Sequence, residues 1–340
     1  MKIHNETPFA VEAFPFPLSE GRSVLTIIVK GTFVIRQDGG VAVAEDPTSV
    51  AFGDEYFDER NGGSVKFESD IVPYKPRTDI VLVGKACAPG GRPAPWVDAA
   101  LRVGSVSKIL RIFGERKWVC NGKKLTGTMT SPLPFQAMDL LPGKAFGGMD
   151  MKTGGTFGEN PEGMGYFDQE IVEDPEKAFL PNIEDPKSLI RHWKDHPRPA
   201  GFGVVGKGCP PRRGYLGTYD EKWRKERCPQ PPEDFRPDFY NCAQFDLQVE
   251  GYLKGNEEVL LVNLTPEGKT AFRLPGIRPD VKIERTEGWG GPSSKETQEM
   301  RLDTLCILPE ERRFHTIWRG SSHIADLTAL EIRSVEVQVL

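Results

Sequence analysis

The sequence predicts a mainly-β protein, with sandwich-like antiparallel sheets from its N- and C-terminal parts. A long, largely irregular central segment carrying short helices is expected between them. Three observations carry that prediction. Both ends of the chain alternate apolar and polar residues with the period-two spacing of strands. Residues 131–245 hold 29 Gly and Pro residues in 115, a density that interrupts long regular elements. The same stretch holds 15 of the chain's 32 aromatic residues, whereas disordered segments are poor in aromatics. It is therefore read as ordered chain, pinned by buried rings and fixed turns. Ordered irregular stretches of this length are uncommon and usually functional, so the working surface is expected here. The implied divisions are an N-terminal β domain over 1–125, the central segment over 126–245, and a C-terminal β region over 246–340. Packing of the last onto the first as one unit is left open.

In chain order, Leu25, Ile27, Val29, Gly31, Phe33 and Ile35 form one apolar face, with Thr26, Lys30 and Thr32 opposite. That alternation predicts a half-buried strand, and a glycine on its core face predicts a bulge or a close backbone approach. Asp38-Gly39-Gly40 supplies a turn, and 78–88 reads as a second strand. The segments 97–103 and 106–113 flank Gly104-Ser105, a two-residue hairpin signal of the II′ type. Asp70, Lys75, Arg77 and Asp79 crowd around two prolines. They read as a structured corner with a local ion-pair cluster, and exposed pairs of that kind contribute only ~0.2–1 kcal/mol. In the central segment Asp185-Pro186 begins a predicted helix, with Leu189, Ile190 and Trp193 at helical spacing and Pro197 as its stop. Asp220 caps a second, charged helix whose one large apolar residue is Trp223. Beyond Asp246 the strand pattern returns. EVLLVNL and TAFRLPG flank a Pro-Glu-Gly turn, and MRLDTLCIL and RRFHTIWRG flank a turn from Pro309 to Arg312. In the last strand the alternation changes phase near Arg333-Ser334, as a bulge requires.

Composition narrows the function classes. Hydrophobic content of 38%, charged content of 27% and a net charge of −5 over 340 residues are those of a soluble globular protein without a basic footprint for nucleic acid. The N-terminus has no signal-peptide pattern, and no apolar run approaches the ~20 residues of a membrane helix. Cys87, Cys120, Cys209, Cys228, Cys242 and Cys306 are scattered without a CxxC pair, which predicts six reduced thiols and a cytoplasmic location.

No catalytic constellation stands out. His192 and His196 would share a helix face at i, i+4, but two ligands are not a metal site, so no metal or other cofactor is expected. GVVGKGC at 203–209 lacks the spacing of a phosphate loop and reads as a glycine-rich turn. Ser131 and the other serines lie outside any GxSxG context. Asp54, Glu55, Asp58 and Glu59 could furnish a carboxylate pair, with an acidic solvated turn as the simpler reading. The arginines and rings of the central segment suggest recognition instead, since Arg, Tyr and Trp are enriched at interface hot spots. Arg198, Phe202, Arg212, Arg213, Tyr215, Tyr219, Trp223 and Phe235 are the predicted partner-binding residues.

NETPFAVEAFPF, KGTF, FESDIVPYKPRTDIVLVGKA and LRIFGERKW resemble an uncharacterised bacterial family. AFGG, NPEGMG, LPNIEDP, RPAGFG and GTYDEKW look like its central motifs, and LDTLCILPEERRFHTIWRG like its closing section. Cys209 departs from the aromatic expected nearby. Genes of that family typically sit beside VgrG spike, PAAR tip and effector genes in type VI secretion clusters. The resemblance implies a non-enzymatic adaptor or chaperone that helps load an effector onto the spike in the cytoplasm, and it brings no catalytic residues. The alternative is a hydrolase of carbohydrate or peptide using acids such as Asp54 and Glu55.

Overall fold

The computed structural model describes all residues except 20–21, 59–62, 211, 287–290, 326–330 and 340. The strand Arg22–Ile35 lies in a seven-stranded sheet whose order is Gln248–Val249, Thr78–Leu82, Arg301–Leu308, Arg313–Ile324, Arg22–Ile35, Ala10–Ser19, with Val41–Val43 also paired to Arg22–Ile35. A five-stranded antiparallel sheet runs Ile183–Glu184, Val106–Phe113, Trp96–Val103, Glu258–Val262, Lys269–Arg273. A four-stranded sheet runs Lys2–Asn5, Ile332–Val339, Pro279–Thr286, Ser293–Gln298. Pairing is mostly antiparallel. The exceptions among these sheets are Thr78–Leu82 against Arg301–Leu308, and Lys2–Asn5 against Ile332–Val339. Each of the three sheets thus joins strands from both ends of the chain.

One hydrophobic core connects them. Leu25, Ile27, Val29 and Phe33 from the first sheet meet Leu101, Leu110, Ile112 and Leu261 from the second, and the same cluster takes in Val281, Ile283, Val335 and Val337 from the third. This is the sandwich-like, mainly-β arrangement that the alternation predicts. At Gly31 the reason for glycine is close approach. The pairing with Arg313–Ile324 continues through Gly31 without a shift, and a Cβ there would lie 2.8 Å from the Phe33 ring and 3.0 Å from Trp318. The Gly104-Ser105 hairpin, the turn at Pro309–Arg312 and the bulge at Arg333 all form. Arg333 is skipped where Ser334 and Ile332 pair with Glu284 and Arg285.

Three expectations are corrected. The strand over 78–88 is two strands, because the chain leaves the large sheet at Val83-Gly84 to pack against Pro309, and Lys85–Cys87 then pairs with Ala137–Asp139. The helix expected from Asp185 does not form. Asp185 Oδ1 accepts the Lys187 N–H at 2.8 Å, Glu184 Oε2 accepts that of Ile190 at 2.8 Å, and Asp195 Oδ2 accepts those of Arg191 and His192 at 2.9 and 2.8 Å. Side-chain acceptors capture the amides that a helix would have used. The strand Arg22–Ile35, expected to be half-buried, is buried on both faces, with Thr26, Lys30 and Thr32 all enclosed. The polar face is covered from the corner that follows: Thr26 donates to the Pro73 carbonyl, Lys30 pairs with Asp70, and Thr32 accepts the Thr48 N–H.

That segment is ordered as expected. Its Phe146, Val172, Leu180 and Ile190 form a small separate core with Trp118 and Leu125 from just before it, and Phe157, Tyr166 and Trp193 pack on that core. Two of the motifs interlock: Phe146-Gly147 pairs in parallel with Met164-Gly165. Gly147 has φ of 146°, and a Cβ there would sit 2.1 Å from the Asn160 carbonyl oxygen, so no other residue fits. Phe113 and Asn182 exchange hydrogen bonds across two further motifs, at 2.8 Å for Phe113 N–H to Asn182 O and 3.0 Å for Asn182 Nδ2 to Phe113 O. Arg116 pairs with Glu184 in the same interior. The helix Glu221–Glu226 is capped by Asp220, whose carboxylate accepts the Trp223 N–H at 2.8 Å.

A groove along the central segment and the ion network beneath it

Two adjoining clefts of about 420 and 350 Å³ run along the central segment and share Glu159, Pro199, Val205 and Gln244 in their walls. The larger lies between Asp54 and Tyr56 on one side, the 140–145 and 159–162 loops on another, and the glycine-rich stretch Gly201–Cys209. The smaller is walled by Arg198, Tyr215, Phe245, Arg77 and Asp238. Among the described residues the side chains of Glu159, Arg198 and Gln244 make no hydrogen bond or ion pair. Phe245 is 74% exposed. The groove therefore presents an unused anion, an unused cation, an unused amide and an uncovered ring.

The predicted partner-binding residues fall into two groups. Phe202 is wholly buried, and its carbonyl accepts the Leu82 N–H at 2.9 Å. Arg212 is buried too, paired bidentately with Glu68 and donating to the Phe239 carbonyl at 2.8 Å. Phe202 fastens the segment to the sheet, and Arg212 ties it to Glu68 in the corner that covers the sheet. Arg198, Arg213 and Tyr219 are exposed, and Tyr215, Trp223 and Phe235 are half-buried. Tyr215 lies under the Arg236 guanidinium at 4.4 Å, and Trp223 donates from Nε1 to the Gln230 carbonyl at 2.8 Å. Phe235 packs on Tyr240 at 5.2 Å. Of this set Arg198, Arg212 and Tyr215 line the groove, Arg212 as a buried part of its wall. Sequence reasoning missed Glu159, Gln244 and Phe245, and nothing in their sequence context separates them from ordinary surface residues.

Asp54 and Glu55 do not converge. Asp54 lines the groove, whereas Glu55 lines a separate cavity, and Glu59 lies outside the described residues. Partial burial opposes ionisation of Asp54. The Lys207 ammonium at 2.7 Å and the Ser69 N–H at 2.9 Å outweigh it and hold the carboxyl below its usual range. A carboxylate held this way suits a structural anchor better than a proton donor. Lys207 of the glycine-rich turn is thereby committed to Asp54. His192 and His196 lack the helix that would have aligned them. His192 accepts the Lys194 N–H, and His196 packs its ring against Tyr166 at 5.1 Å. No group of three or more His, Cys, Asp or Glu side chains placed to hold a metal occurs among the described residues.

Beneath the groove the expected local, exposed ion-pair corner is a buried, long-range network. Asp79 is fully enclosed and accepts from Lys75 Nζ at 2.8 Å, Asn241 Nδ2 at 3.0 Å, and the N–H groups of Cys242 and Ala243 at 2.9 and 3.1 Å. Burial opposes its charge, but Lys75 and the two amides prevail and lower its pKa. Lys75 also donates to Thr304 Oγ1 at 3.0 Å, Lys30 pairs with Asp70 at 2.8 Å, and Arg319 pairs with Asp303 while donating to the Asp70 carbonyl at 2.8 Å. Burial keeps the thiols neutral, well above the usual range at Cys242 and at about 12 for Cys306. All six cysteines are free.

His315 lies on the same face. Burial first, then the Lys30 ammonium, lowers its pKa from 6.5 to about 4, with Arg313 adding to the shift and Asp70 opposing it. The unfolded ring binds its proton more readily than the folded one, so stability is complete above the unfolded pKa of 6.5 and falls as pH drops toward 4. The loss from this group is on the order of 3 kcal/mol. His315→Gln should reduce the difference in unfolding free energy between about pH 7 and pH 4.5, as read by urea titration. An undiminished difference would contradict the assignment.

A family model described as "Uncharacterized protein conserved in bacteria (DUF2169)" matches residues 20–319. No curated protein matches the chain, and no solved structure does.

Proposed function

We propose, from the premise that this chain belongs to the DUF2169 family of uncharacterised conserved bacterial proteins, that it is a non-enzymatic adaptor for type VI secretion. In this reading it binds an effector polypeptide reversibly in the cytoplasm, shields its aggregation-prone surface, and hands it to the VgrG spike or PAAR tip. The observation that carries the binding role is the groove, where Glu159, Arg198, Gln244 and Phe245 stand unsatisfied on a segment that is otherwise pinned. Residues held by prolines and interlocked glycines lose little entropy on association, which favours a preorganised surface. The assignment to secretion comes from the family resemblance. No described helix is long and apolar enough to cross a membrane. Asp54 and Glu55 line different cavities and Asp54 is paired with Lys207, which favours the adaptor reading over a hydrolase built on that pair.

Affinity purification of the full chain from its native bacterium tests the proposal. An effector encoded beside spike genes should co-purify in stoichiometric amount. Recovery of the chain without any stoichiometric polypeptide, under conditions where effector is expressed, would overturn it.

A further inference from the structure

The polar face of the large sheet encloses a separate cavity of about 280 Å³, near the lower end of the range for small-molecule sites. Lys30 and His315 line it, and each is only 7% exposed. Lys30 Nζ has three N–H donors and among the described residues engages Asp70 alone, at 2.8 Å. That carboxylate is further committed to the Ala51 N–H at 2.8 Å. Thr32 Oγ1 accepts the Thr48 N–H at 2.9 Å and lies 3.3 Å from His315 Nδ1, to which it gives its own hydrogen in the Nε2–H tautomer. Nε2 of a neutral His315 then carries the ring proton, and it has no partner among the described residues. Spare N–H capacity on Lys30 Nζ and, in that tautomer, on His315 Nε2 thus lines one cavity.

The outer part of the same cavity has the opposite character. Glu55 and Glu311 line it and are exposed, and neither side chain makes a hydrogen bond or ion pair among the described residues. Of the other charged groups there, Glu68 and Lys75 are occupied. Glu68 is held by Arg212, Lys75 by Asp79, and Lys66 lies over the Phe67 ring at 4.9 Å. Donors inside and free carboxylates outside complement a short molecule with an anionic and a cationic end. We propose that this cavity binds a small zwitterion of the amino-acid type, its carboxylate on Lys30 Nζ and His315 Nε2 and its ammonium or guanidinium toward Glu55 and Glu311. The site is independent of the adaptor reading.

The test uses the full chain and the twenty common amino acids as separate probes. It follows the ring-proton resonance of His315 by NMR, identified from its absence in His315→Gln. At least one probe should shift that resonance saturably with a Kd of about 1 mM or below. The amine made by removing that probe's carboxylate should leave it unmoved, and Lys30→Met should weaken binding about tenfold or more. Should Lys30→Met fail to fold, Glu55→Gln with Glu311→Gln alters only exposed groups and should weaken binding roughly two- to fivefold. No shift with any of the twenty, equal binding of the decarboxylated amine, or full affinity in a folded variant overturns the proposal.

Discussion

Replacing Asp79 by alanine should lower the unfolding free energy by roughly 3–5 kcal/mol, the scale for breaking a buried ion pair from one side. Four N–H donors converge on this fully enclosed carboxylate, from Lys75, Asn241 and the Cys242 and Ala243 amides, with the Cys242 thiol as a fifth, weaker donor at 3.4 Å. The substitution leaves the Lys75 ammonium buried with Thr304 Oγ1 as its close partner, and it leaves two main-chain N–H groups orphaned. The loss is a large part of the 5–15 kcal/mol that holds most native proteins together. Its location adds to the effect, because Asn241–Ala243 ends the central segment and Thr78–Leu82 lies within the large sheet. Lys85→Ala is the contrast. Its pairs with Asp139 and Glu310 are exposed, and its removal should change stability by less than about 1 kcal/mol. Urea unfolding of both variants beside the parent protein measures the difference. A cost below about 1 kcal/mol for Asp79→Ala would show that the network is not the fastening described.

What the sequence revealed and what it hid divides along the range of the interactions. Alternation in Arg22–Ile35, the Gly104-Ser105 hairpin and the Asp220 cap depend on neighbours within a few residues, and all were legible. The phase change at Arg333 was legible for the same reason, since a bulge displaces the side-chain pattern of its own strand. Burial of the Lys30 face was not legible. Lys30, Asp70 and Arg319 meet across sequence separations of 40 and 249 residues, and only the complete topology brings them together. The prediction of a helix from Asp185 failed because apolar spacing is blind to Glu184 and Asp195 as local acceptors. Phe202 and Arg212 carried a recognition signal by residue type, yet aromatic and arginine side chains also fasten irregular chain. Composition does not separate those two uses. The groove's own free groups, Glu159 and Gln244, are conspicuous only through the absence of partners, which is a property of three-dimensional surroundings.

That absence supports the second large prediction, that Arg198→Ala combined with Phe245→Ala removes about 2–4 kcal/mol of partner binding. Both side chains line the smaller cleft, both are exposed, and the Arg198 guanidinium has no partner among the described residues. Their removal should therefore leave the folded state alone, unlike Tyr215 and Trp223, which support Arg236 and the Gln230 turn. Ile109→Ala, at an exposed position on the strand Val106–Phe113, serves as a control away from the groove. The decisive measurement is the Kd for the co-purified effector together with Tm, on one preparation of each protein. A Kd raised about 30- to 1,000-fold in the double variant, with an unchanged Tm and an unaltered Ile109→Ala control, is the predicted result. Full-strength binding by the folded double variant would contradict the groove as the partner site.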